Sequence, residues 1–367
     1  MPFDKYDTRN LKILFTCGRE PSYPRNSLIL SVLQNLTNTQ SFTSTSRRIL
    51  IRYLSIYWQM FFAVRKQEFD LIFVGFLGQP IVPFANRFFK KPILFDAFLS
   101  VFDTICYDRQ WVSPNSLVGK AAFLFDKISC DQADCVILDT QAHADFFHQQ
   151  FGIAKEKLEV LFVGCDDTLF QPQWDCEPKE QIVLFYGSYL PLHGVETIVE
   201  AARHLRNTSI RFRIIGDGIQ KNRIVALAKQ HNLTNITFMY TVPLHQLPNE
   251  IANATVCLGG PFGPSQKAQR VITGKTFQCI AMGKPTIVGD SQANRELLEH
   301  QNNAWFCPMN DPIALTEAIR ALTNNPNLCR QLGENAYLTF KEKASTEVLQ
   351  EKLKQILLKT TFRRPVI

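Results

Sequence analysis

Three basic residues lie close to the predicted start of a helix in the segment of residues 259–290. A short apolar run ends there in a loop rich in glycine and proline, and a helix is predicted from about residue 273 to residue 282. The first N–H groups of a helix have no acceptor within it and carry a partial positive charge. Together with Lys267, Arg270 and Lys275 they suit a pyrophosphate. The competing interpretation is a solvated loop rich in lysine.

Glycine-bearing turns follow three other predicted strands. Gly18 and Gly187 end the first strand in each half of the chain, and residues 216–218 read Gly-Asp-Gly after a third strand. Glycine allows a tight turn or the close approach of a backbone to a ligand. For the turn at residues 216–218, a purely structural role explains the sequence equally well.

Short apolar runs bounded by Gly, Pro or Asp predict the strands that position these residues. They occur at residues 12–16, 71–75, 92–96, 135–139, 158–163, 182–187, 211–216, 236–240, 255–259, 285–289 and 304–307. Runs without polar alternation are typical of strands that are buried on both faces. Helical periodicity lies between many of them, for example at residues 195–206 and 313–323. This alternation predicts parallel sheets with helices on both faces.

A segment without periodicity, residues 170–181, separates two series of strands and is predicted to be a linker. The sequence therefore predicts a Rossmann-like domain at residues 1–171 and a second one at residues 172–345. A C-terminal helix and tail, residues 346–367, are expected to pack back towards the first domain. Ligands of such sheets bind beyond the carboxyl ends of the strands, so the cleft between the domains is the expected site.

The composition excludes several classes of protein. With 46% hydrophobic and 20% charged residues, the 367-residue chain is globular rather than disordered and is long enough for two domains. Its ten cysteines include no Cys-x-x-Cys pair and no spacing suited to zinc, which favours reduced thiols in a cytoplasmic protein. The longest apolar stretch, residues 53–64, is too short to span a bilayer.

The net charge of +7 is unevenly distributed. The first hundred residues include the basic residues Arg47, Arg48, Arg52, Arg65, Lys66, Arg87, Lys90 and Lys91. A basic first domain could rest on anionic lipid at the inner face of a membrane, although a solvated helix face explains the same charges. No nucleic-acid partner is expected.

Four segments, residues 163–170, 182–188, 216–218 and 259–290, together resemble the family 4 retaining glycosyltransferases, which have the GT-B architecture. The resemblance covers most of residues 160–345 and, more loosely, the first domain. It implies an α/β protein in which two Rossmann-like parallel-sheet domains face each other across a cleft. The first domain would bind the acceptor and the second the nucleotide sugar.

The chain departs from this family at four positions. Many members carry two glutamates eight positions apart, where this chain has Arg270 and Gln278. The family also holds the diphosphate with an Arg and a Lys at the positions of Ser188 and His193. We therefore hypothesise that Lys267 and Arg270 have taken over the phosphate role. The amide of Gln278 can still bond a ribose hydroxyl.

The resemblance also implies further site residues. The predicted donor contacts are Gly18, Gly187, His193, Asp217, Tyr240, Val242, Phe262, Gly263, Lys267, Arg270, Lys275 and Gln278. Among them, the backbone near residues 240–242 would read the base. The predicted catalytic residues are Lys267, Arg270, Asp96 and Asp103. Capping of the next helix explains either aspartate about as well. His143 is a further candidate, with a surface or capping role as its alternative.

These implications define an expected function. The chain would transfer a hexose with retention from a nucleotide-diphosphate sugar, such as UDP-glucose, to a glycan or lipid-linked acceptor in polysaccharide or exopolysaccharide synthesis. No Asp-x-Asp motif occurs, so neither a metal nor another cofactor is expected, and fixed positive charge must stabilise the leaving diphosphate. One alternative is a catalytically weakened nucleotide-sugar-binding protein or scaffold partner of a glycosyltransferase. Another is a nucleotide-sugar 2-epimerase, against which the missing glutamate pair argues.

Overall fold

The computed structural model describes residues 8–66, 68–176 and 178–362, and the chain divides into two compact units. The second unit runs from Val163 to Ser345, and the first combines the preceding residues with the C-terminal segment from Thr346. The domain limit that the sequence suggests after residue 171 comes later than this division. The reason is that the peptide after Val163 already packs with the second unit, where the Cys165 thiol donates to Phe277 O at 3.8 Å.

The first unit contains a six-stranded parallel sheet with the strand order β2-β1-β3-β4-β5-β6. Its elements are β1 (Lys12–Cys17), α1 (Pro24–Leu36), β2 (Asn38–Ser41), α2 (Ile49–Lys66), β3 (Leu71–Gly75), α3 (Ile81–Phe89), β4 (Ile93–Asp96), α4 (Leu117–Gln132), β5 (Cys135–Leu138), α5 (Gln141–Phe151) and β6 (Leu158–Val160). The central strands β3, β4 and β5 are buried along their whole length, which explains their continuous apolar sequences. Helices α2 to α5 pack on one face of the sheet and α1 on the other.

The second unit also contains a six-stranded parallel sheet, with the order β12-β11-β10-β7-β8-β9. Its elements are β7 (Ile182–Tyr186), α6 (Val195–His204), β8 (Arg211–Ile215), α7 (Lys221–Gln230), β9 (Ile236–Met239), α8 (Leu247–Ala252), β10 (Val256–Leu258), α9 (Gly274–Ala281), β11 (Thr286–Gly289), α10 (Asn294–Leu297), β12 (Trp305–Cys307), α11 (Pro312–Thr323) and α12 (Pro326–Lys343). The chain leaves β7 towards β8 and β9 on one side, and then adds β10 to β12 on the other. The strand order therefore reverses between β7 and β10, and open α/β sheets bind ligands outside the carboxyl ends of the strands at such a point.

The C-terminal helix α13 (Thr346–Phe362) belongs to the first unit. Its buried residues Leu353 and Leu357 join the core on the α1 side of the first sheet. The carboxylate of Glu159 on β6 forms an ion pair with Lys359 near the end of this helix.

The predicted α/β architecture with two parallel-sheet domains is confirmed by these two sheets. Within the described residues, every helix is too short or too polar to cross a lipid bilayer.

Candidate active site

Two glycine turns lie against each other where β7 and β8 end. Gly187 N donates to Ile215 O at 3.0 Å, and Tyr189 N donates to Asp217 O at 3.0 Å. Gly216 has a φ of +139°, and a Cβ atom there would lie 2.0 Å from Gly187 O. The glycine at position 216 is therefore required by the close packing of the two turns. The Gly-Asp-Gly sequence therefore has a structural role. Its turn also holds the backbone beside Gly187 in place.

The loop that follows β10 packs against the turn that precedes α6. Gly263 N donates to Leu192 O at 2.9 Å, and a Cβ atom on Gly263 would lie 2.0 Å from Pro191 O. The side chain of Phe262 is fully buried in the core of the second unit. Phe262 and Gly263, both predicted donor contacts, thus anchor this loop beside His193. Their contact with a donor stays a prediction.

Lys275 connects α9 with the turn after β7. Its Nζ lies 3.1 Å from His193 Nδ1 and 5.1 Å from the centroid of the Phe185 ring. A Cβ atom on Gly187 would lie 3.2 Å from Lys275 Cε, so the lysine side chain runs along this glycine. Lys275 is the second residue of α9, and its ammonium group therefore sits beside the positive end of that helix.

The ammonium group of Lys275 is largely shielded from solvent. The residue is only 6% exposed, and burial lowers the pKa of its amine from 10.5 to about 7. Within the described ranges no carboxylate forms an ion pair with it, and the one charge that raises its pKa comes from Cys279. A buried amine without an acidic partner is stabilised in its charged form by an anion. A negatively charged ligand would therefore be favoured beside Lys275, and its binding there stays a prediction.

Lys267 lies on a 3-10 turn, Gln266–Gln269, which packs against the 3-10 turn Pro191–His193. The side chain of Lys267 is buried, and Arg270, directly after the turn, is half-buried. With Lys275 buried as well, the interpretation of this segment as a solvated lysine-rich loop is wrong. The structure brings the turns carrying Lys267 and His193 together.

Gln278 is oriented by a tyrosine that the sequence interpretation missed. Tyr186 Oη donates to Gln278 Oε1 at 2.9 Å and lies 3.3 Å from Lys275 O and 3.6 Å from Cys279 Sγ. Burial raises the pKa of the Tyr186 hydroxyl, so it remains a hydrogen-bond donor. Because Tyr186 occupies the amide oxygen, the NH₂ group of Gln278 is the one available for the predicted ribose contact, which stays a prediction. The signal was a tyrosine ending an otherwise aliphatic and phenylalanine-rich strand directly before Gly187.

Two further predicted donor contacts share one lysine at the ends of β8 and β9. Lys221 Nζ donates to Gly216 O at 3.0 Å, lies 3.8 Å from Asp217 Oδ1 and sits 3.9 Å from the centroid of the Tyr240 ring. The carboxylate of Asp217 also accepts from Gly218 N at 2.8 Å. Tyr240 is 79% exposed, whereas Val242 is half-buried. This group lies at the ends of β8 and β9, which are two and three strands along the sheet from β10.

In the first unit, Gly18 occupies a close contact between the ends of β1 and β3. Its N–H donates to Phe76 O at 3.0 Å, and a Cβ atom there would lie 1.9 Å from Leu77 O. Arg52 on α2 donates to Gly18 O at 3.0 Å. The glycine is needed for this packing, and its predicted approach to a donor phosphate stays a prediction.

Asp96 is held by a buried arginine. Its two carboxylate oxygens accept from Arg25 Nε at 3.0 Å and Arg25 Nη2 at 2.9 Å, and both side chains are almost inaccessible to solvent. Arg25 also donates to the carbonyl oxygens of Leu161 and Phe162. Such a pair fixes the end of β4 to α1 and to the chain after β6. Sugar contact by Asp96 stays a prediction, with a positioning role as the simpler interpretation of its geometry.

Asp103 begins a six-residue π-helical turn, and its N–H donates to Ser100 Oγ at 2.9 Å. That loop is organised by Asp126 on α4, which the sequence interpretation missed. Asp126 Oδ2 accepts from Ser100 Oγ at 2.7 Å and from Phe102 N at 2.8 Å. Burial raises the pKa of the Asp126 carboxyl group, while these hydrogen bonds lower it. Asp126 therefore positions the loop that carries Asp103.

His143 lies in the first turn of α5, whose N-cap is Thr140. Its Nδ1 is 2.6 Å from Asp139 Oδ1, and its ring stacks edge-on against Phe147 with the centroids 5.0 Å apart. The side chain is fully buried. The alternative of a surface residue is therefore wrong, and a structural contact at the end of β5 explains the histidine.

Similarity to a known protein family covers most of the second unit. Residues 166–339 match the family model described as "Glycosyl transferases group 1", a stretch that includes all the turns around Lys275. This part of the chain is similar to the group 1 glycosyltransferases. The predicted family resemblance is thereby confirmed.

Curated relatives of this chain are named as glycosyltransferases. The chain is 25% identical over 179 residues to "Putative colanic acid biosynthesis glycosyltransferase WcaL" of Escherichia coli (strain K12), which is 48% of the chain and 44% of the relative. It is 23% identical over 233 residues to "Uncharacterized glycosyltransferase MJ1178" of Methanocaldococcus jannaschii, covering 64% of the chain and 61% of the relative. The chain thus spans less than half of WcaL.

Solved structures resemble this chain along almost its whole length. Sucrose-phosphate synthase (tll1590) from Thermosynechococcus elongatus has a TM-score of 0.78 at 17% identity, covering 95% of this chain and 98% of that one. Anabaena Alr3699/HepE, crystallised in complex with UDP, has a TM-score of 0.74 at 14% identity, covering 95% and 99%. At these identities the likeness establishes the fold, which is that of the GT-B glycosyltransferases.

Proposed function

We propose that this protein is a retaining hexosyltransferase that takes its sugar from a UDP-sugar such as UDP-glucose. The observation that carries the proposal is the buried ammonium group of Lys275 at the positive end of α9, beside the turn after β7. It lies at the point where the strand order of the second sheet reverses. UDP, which is bound in the HepE crystal structure, carries the negative charge that this group would attract.

Fixed positive charge would supply the main catalytic effect in this proposal. The bond between the anomeric carbon and the diphosphate oxygen breaks, and the charge that develops on the diphosphate is stabilised by Lys275 and by the first N–H groups of α9. The acceptor hydroxyl attacks from the face that the diphosphate leaves, and its proton passes to a phosphate oxygen. No enzyme nucleophile and no metal ion are part of this scheme.

Lys275 supports a revised version of the phosphate hypothesis. The family resemblance leads us to expect basic residues at the positions of Ser188 and His193. The Lys275 ammonium lies 3.1 Å from His193 although it comes from a different helix. We therefore propose that Lys275 supplies the positive charge missing from the turn after β7, and that Lys267 and Arg270 add to it from the loop before α9.

The proposed acceptor is a glycan or a lipid-linked sugar in the synthesis of a surface or exopolysaccharide. The name of the WcaL relative, which refers to colanic acid, supports this class of product. A lipid-linked acceptor would bring the protein to the inner face of a membrane. Its location there is part of the same proposal.

A second candidate function is a nucleotide-sugar-binding protein with little or no turnover. It is favoured by the altered positions Ser188, His193, Arg270 and Gln278, and by the complete engagement of Asp96 with Arg25. A scaffold partner of an active glycosyltransferase could tolerate all of these changes.

Release of UDP from a panel of UDP-sugars separates the two candidates. We expect the protein to turn over at least one UDP-sugar, with the released UDP detected by a coupled assay. When no acceptor is present, slow hydrolysis of the UDP-sugar would count as turnover. The same sugars should raise the melting temperature, because a ligand that binds only the folded state stabilises it. A raised melting temperature without UDP release, even when cell extracts that contain candidate acceptors are added, would favour the binding protein. The absence of both thermal stabilisation and UDP release would contradict both proposals.

A further inference from the structure

Helix α2 in the first unit is apolar on two opposite faces. Its inner face buries Ile56, Met60 and Ala63 against the sheet. Its outer face, termed the α2 ridge, consists of Leu50, Leu54, Trp58 and Phe62. These side chains follow one another at intervals of four residues and are between 38% and 76% exposed. A surface helix normally turns polar residues outward, so a helix with two apolar faces lacks a partner on one of them.

Exposed arginines flank the α2 ridge at both ends. Arg47 and Arg48 precede the helix and are exposed, and Arg65 stands near its other end with its guanidinium 3.9 Å from the centroid of the Phe61 ring. The sequence of α2 contains neither aspartate nor glutamate. The ridge is therefore an apolar strip with arginine at both ends.

The neighbouring helices extend this surface. Helix α3 lies between α2 and α4, and its Phe88 is 54% exposed with Arg87 beside the ring. On α4, Leu124 and Ile128 are also exposed, whereas the carboxylate of Asp126 on the same helix is buried. Three adjacent helices thus present apolar side chains on the side away from the sheet.

We infer that the α2 ridge docks on the surface of an anionic lipid bilayer, with α2 lying in the plane of the interface. Leucine, tryptophan and phenylalanine flanked by arginine are the residues that place a helix at this depth, where tryptophan prefers the headgroup region. The arginines would meet the negative charge of the lipid headgroups. A second copy of the chain fits the surface poorly, since a symmetric contact would bring the basic ends of two ridges together.

This docking surface does not depend on the proposed transferase activity, and it is tested without any sugar donor. The full chain is sedimented with vesicles of phosphatidylcholine alone and with vesicles that also contain phosphatidylglycerol, at low and at high salt. We expect binding to the anionic vesicles that weakens with salt. The variant Leu54→Glu/Trp58→Glu should bind at least about tenfold less, since two apolar anchors become acidic.

Two controls keep the test specific. Leu338→Glu introduces the same change at an exposed leucine of α12 and should sediment like the unchanged protein. Arg47→Glu/Arg48→Glu should weaken binding to anionic vesicles without altering the melting temperature, because both side chains are exposed. Equal binding by the ridge variant and the unchanged protein would overturn the inference. Failure of the unchanged protein to bind anionic vesicles would also overturn it. Self-association of the protein in analytical ultracentrifugation would then point to a second copy as the partner of the ridge.

Discussion

Replacing Lys275 with Met should reduce UDP affinity by at least about a hundredfold and at the same time raise the melting temperature of the ligand-free protein. The two effects share one cause. A buried ammonium without a carboxylate partner destabilises the unliganded fold, and the same ammonium attracts the diphosphate. Methionine has a similar length and removes both the penalty and the attraction. Calorimetric titration with UDP and thermal unfolding measure the two effects on the same samples.

The pH dependence of this variant follows from the direction of the pKa shift. The pKa of Lys275 is lowered from 10.5 to about 7 in the folded chain, so the unfolded chain holds more protons between these values. Stability from this group therefore rises as the pH rises from 7 towards 10.5, and the penalty is complete below pH 7. The stabilisation by Lys275→Met should thus be largest at or below neutral pH, with a shift of several degrees in the melting temperature.

UDP affinity of the unchanged protein should fall as the pH rises above 7, because the lysine loses its proton. The comparison is confined to pH values between 7 and about 8.5, where the terminal phosphate of UDP is already ionised and the uracil ring still keeps its proton. Lys284→Met, a lysine of the same unit whose Nζ donates to Ala252 O, is the matched control and should keep the pH profile. Unchanged UDP affinity in Lys275→Met would contradict the assignment of this residue.

Replacing Arg270 with Ala should lower kcat/KM for a UDP-sugar by roughly a hundredfold, the range seen when one preorganised charge is removed from a site. The reason is that Arg270, directly after the buried turn of Lys267, adds positive charge where the family resemblance leads us to expect a glutamate. Arg270→Glu should therefore be more damaging than Arg270→Ala. Steady-state kinetics of UDP release measure both variants.

A surface arginine of the same unit provides the comparison for Arg270. Arg295 forms an exposed ion pair with Asp290, and Arg295→Ala should leave kcat/KM within about a factor of two, since exposed pairs contribute little. Full activity in Arg270→Ala, or higher activity in Arg270→Glu, would show that the positive charge at this position has no part in donor binding.

The sequence predicted eleven of the twelve strands in the described residues, because most of them are largely buried and form continuous apolar runs. It missed the edge strand β2, whose four residues are polar and partly exposed. It also singled out the loop before α9 as a candidate anion site, since glycine, proline and lysine there precede a helix, and that assignment stays a prediction. The contact between Lys275 and His193 could not be predicted from the sequence, because these residues are 82 positions apart. They meet only because β7 and β10 are neighbours in the sheet. The hypothesis for the missing basic residues accordingly named Lys267 and Arg270 and gave Lys275 a lesser part.

Other features depended on burial, which a single sequence does not reveal. Asp96 and Arg25 are 71 positions apart, and their pairing depends on the packing of α1 against β4. The apolar stretch at residues 53–64 was recognised as too short to span a bilayer, but its exposed outer side chains appear only in the folded unit. Tyr186 was correctly placed in an apolar strand, but the strand pattern did not indicate that its hydroxyl group orients Gln278.

A crystal structure of the protein with UDP tests the central claim most directly. The account predicts diphosphate oxygens within hydrogen-bonding distance of Lys275 Nζ and of the first N–H groups of α9, at the carboxyl ends of β7 and β10. A diphosphate bound elsewhere on the chain, with Lys275 Nζ still directed only at His193, would contradict it.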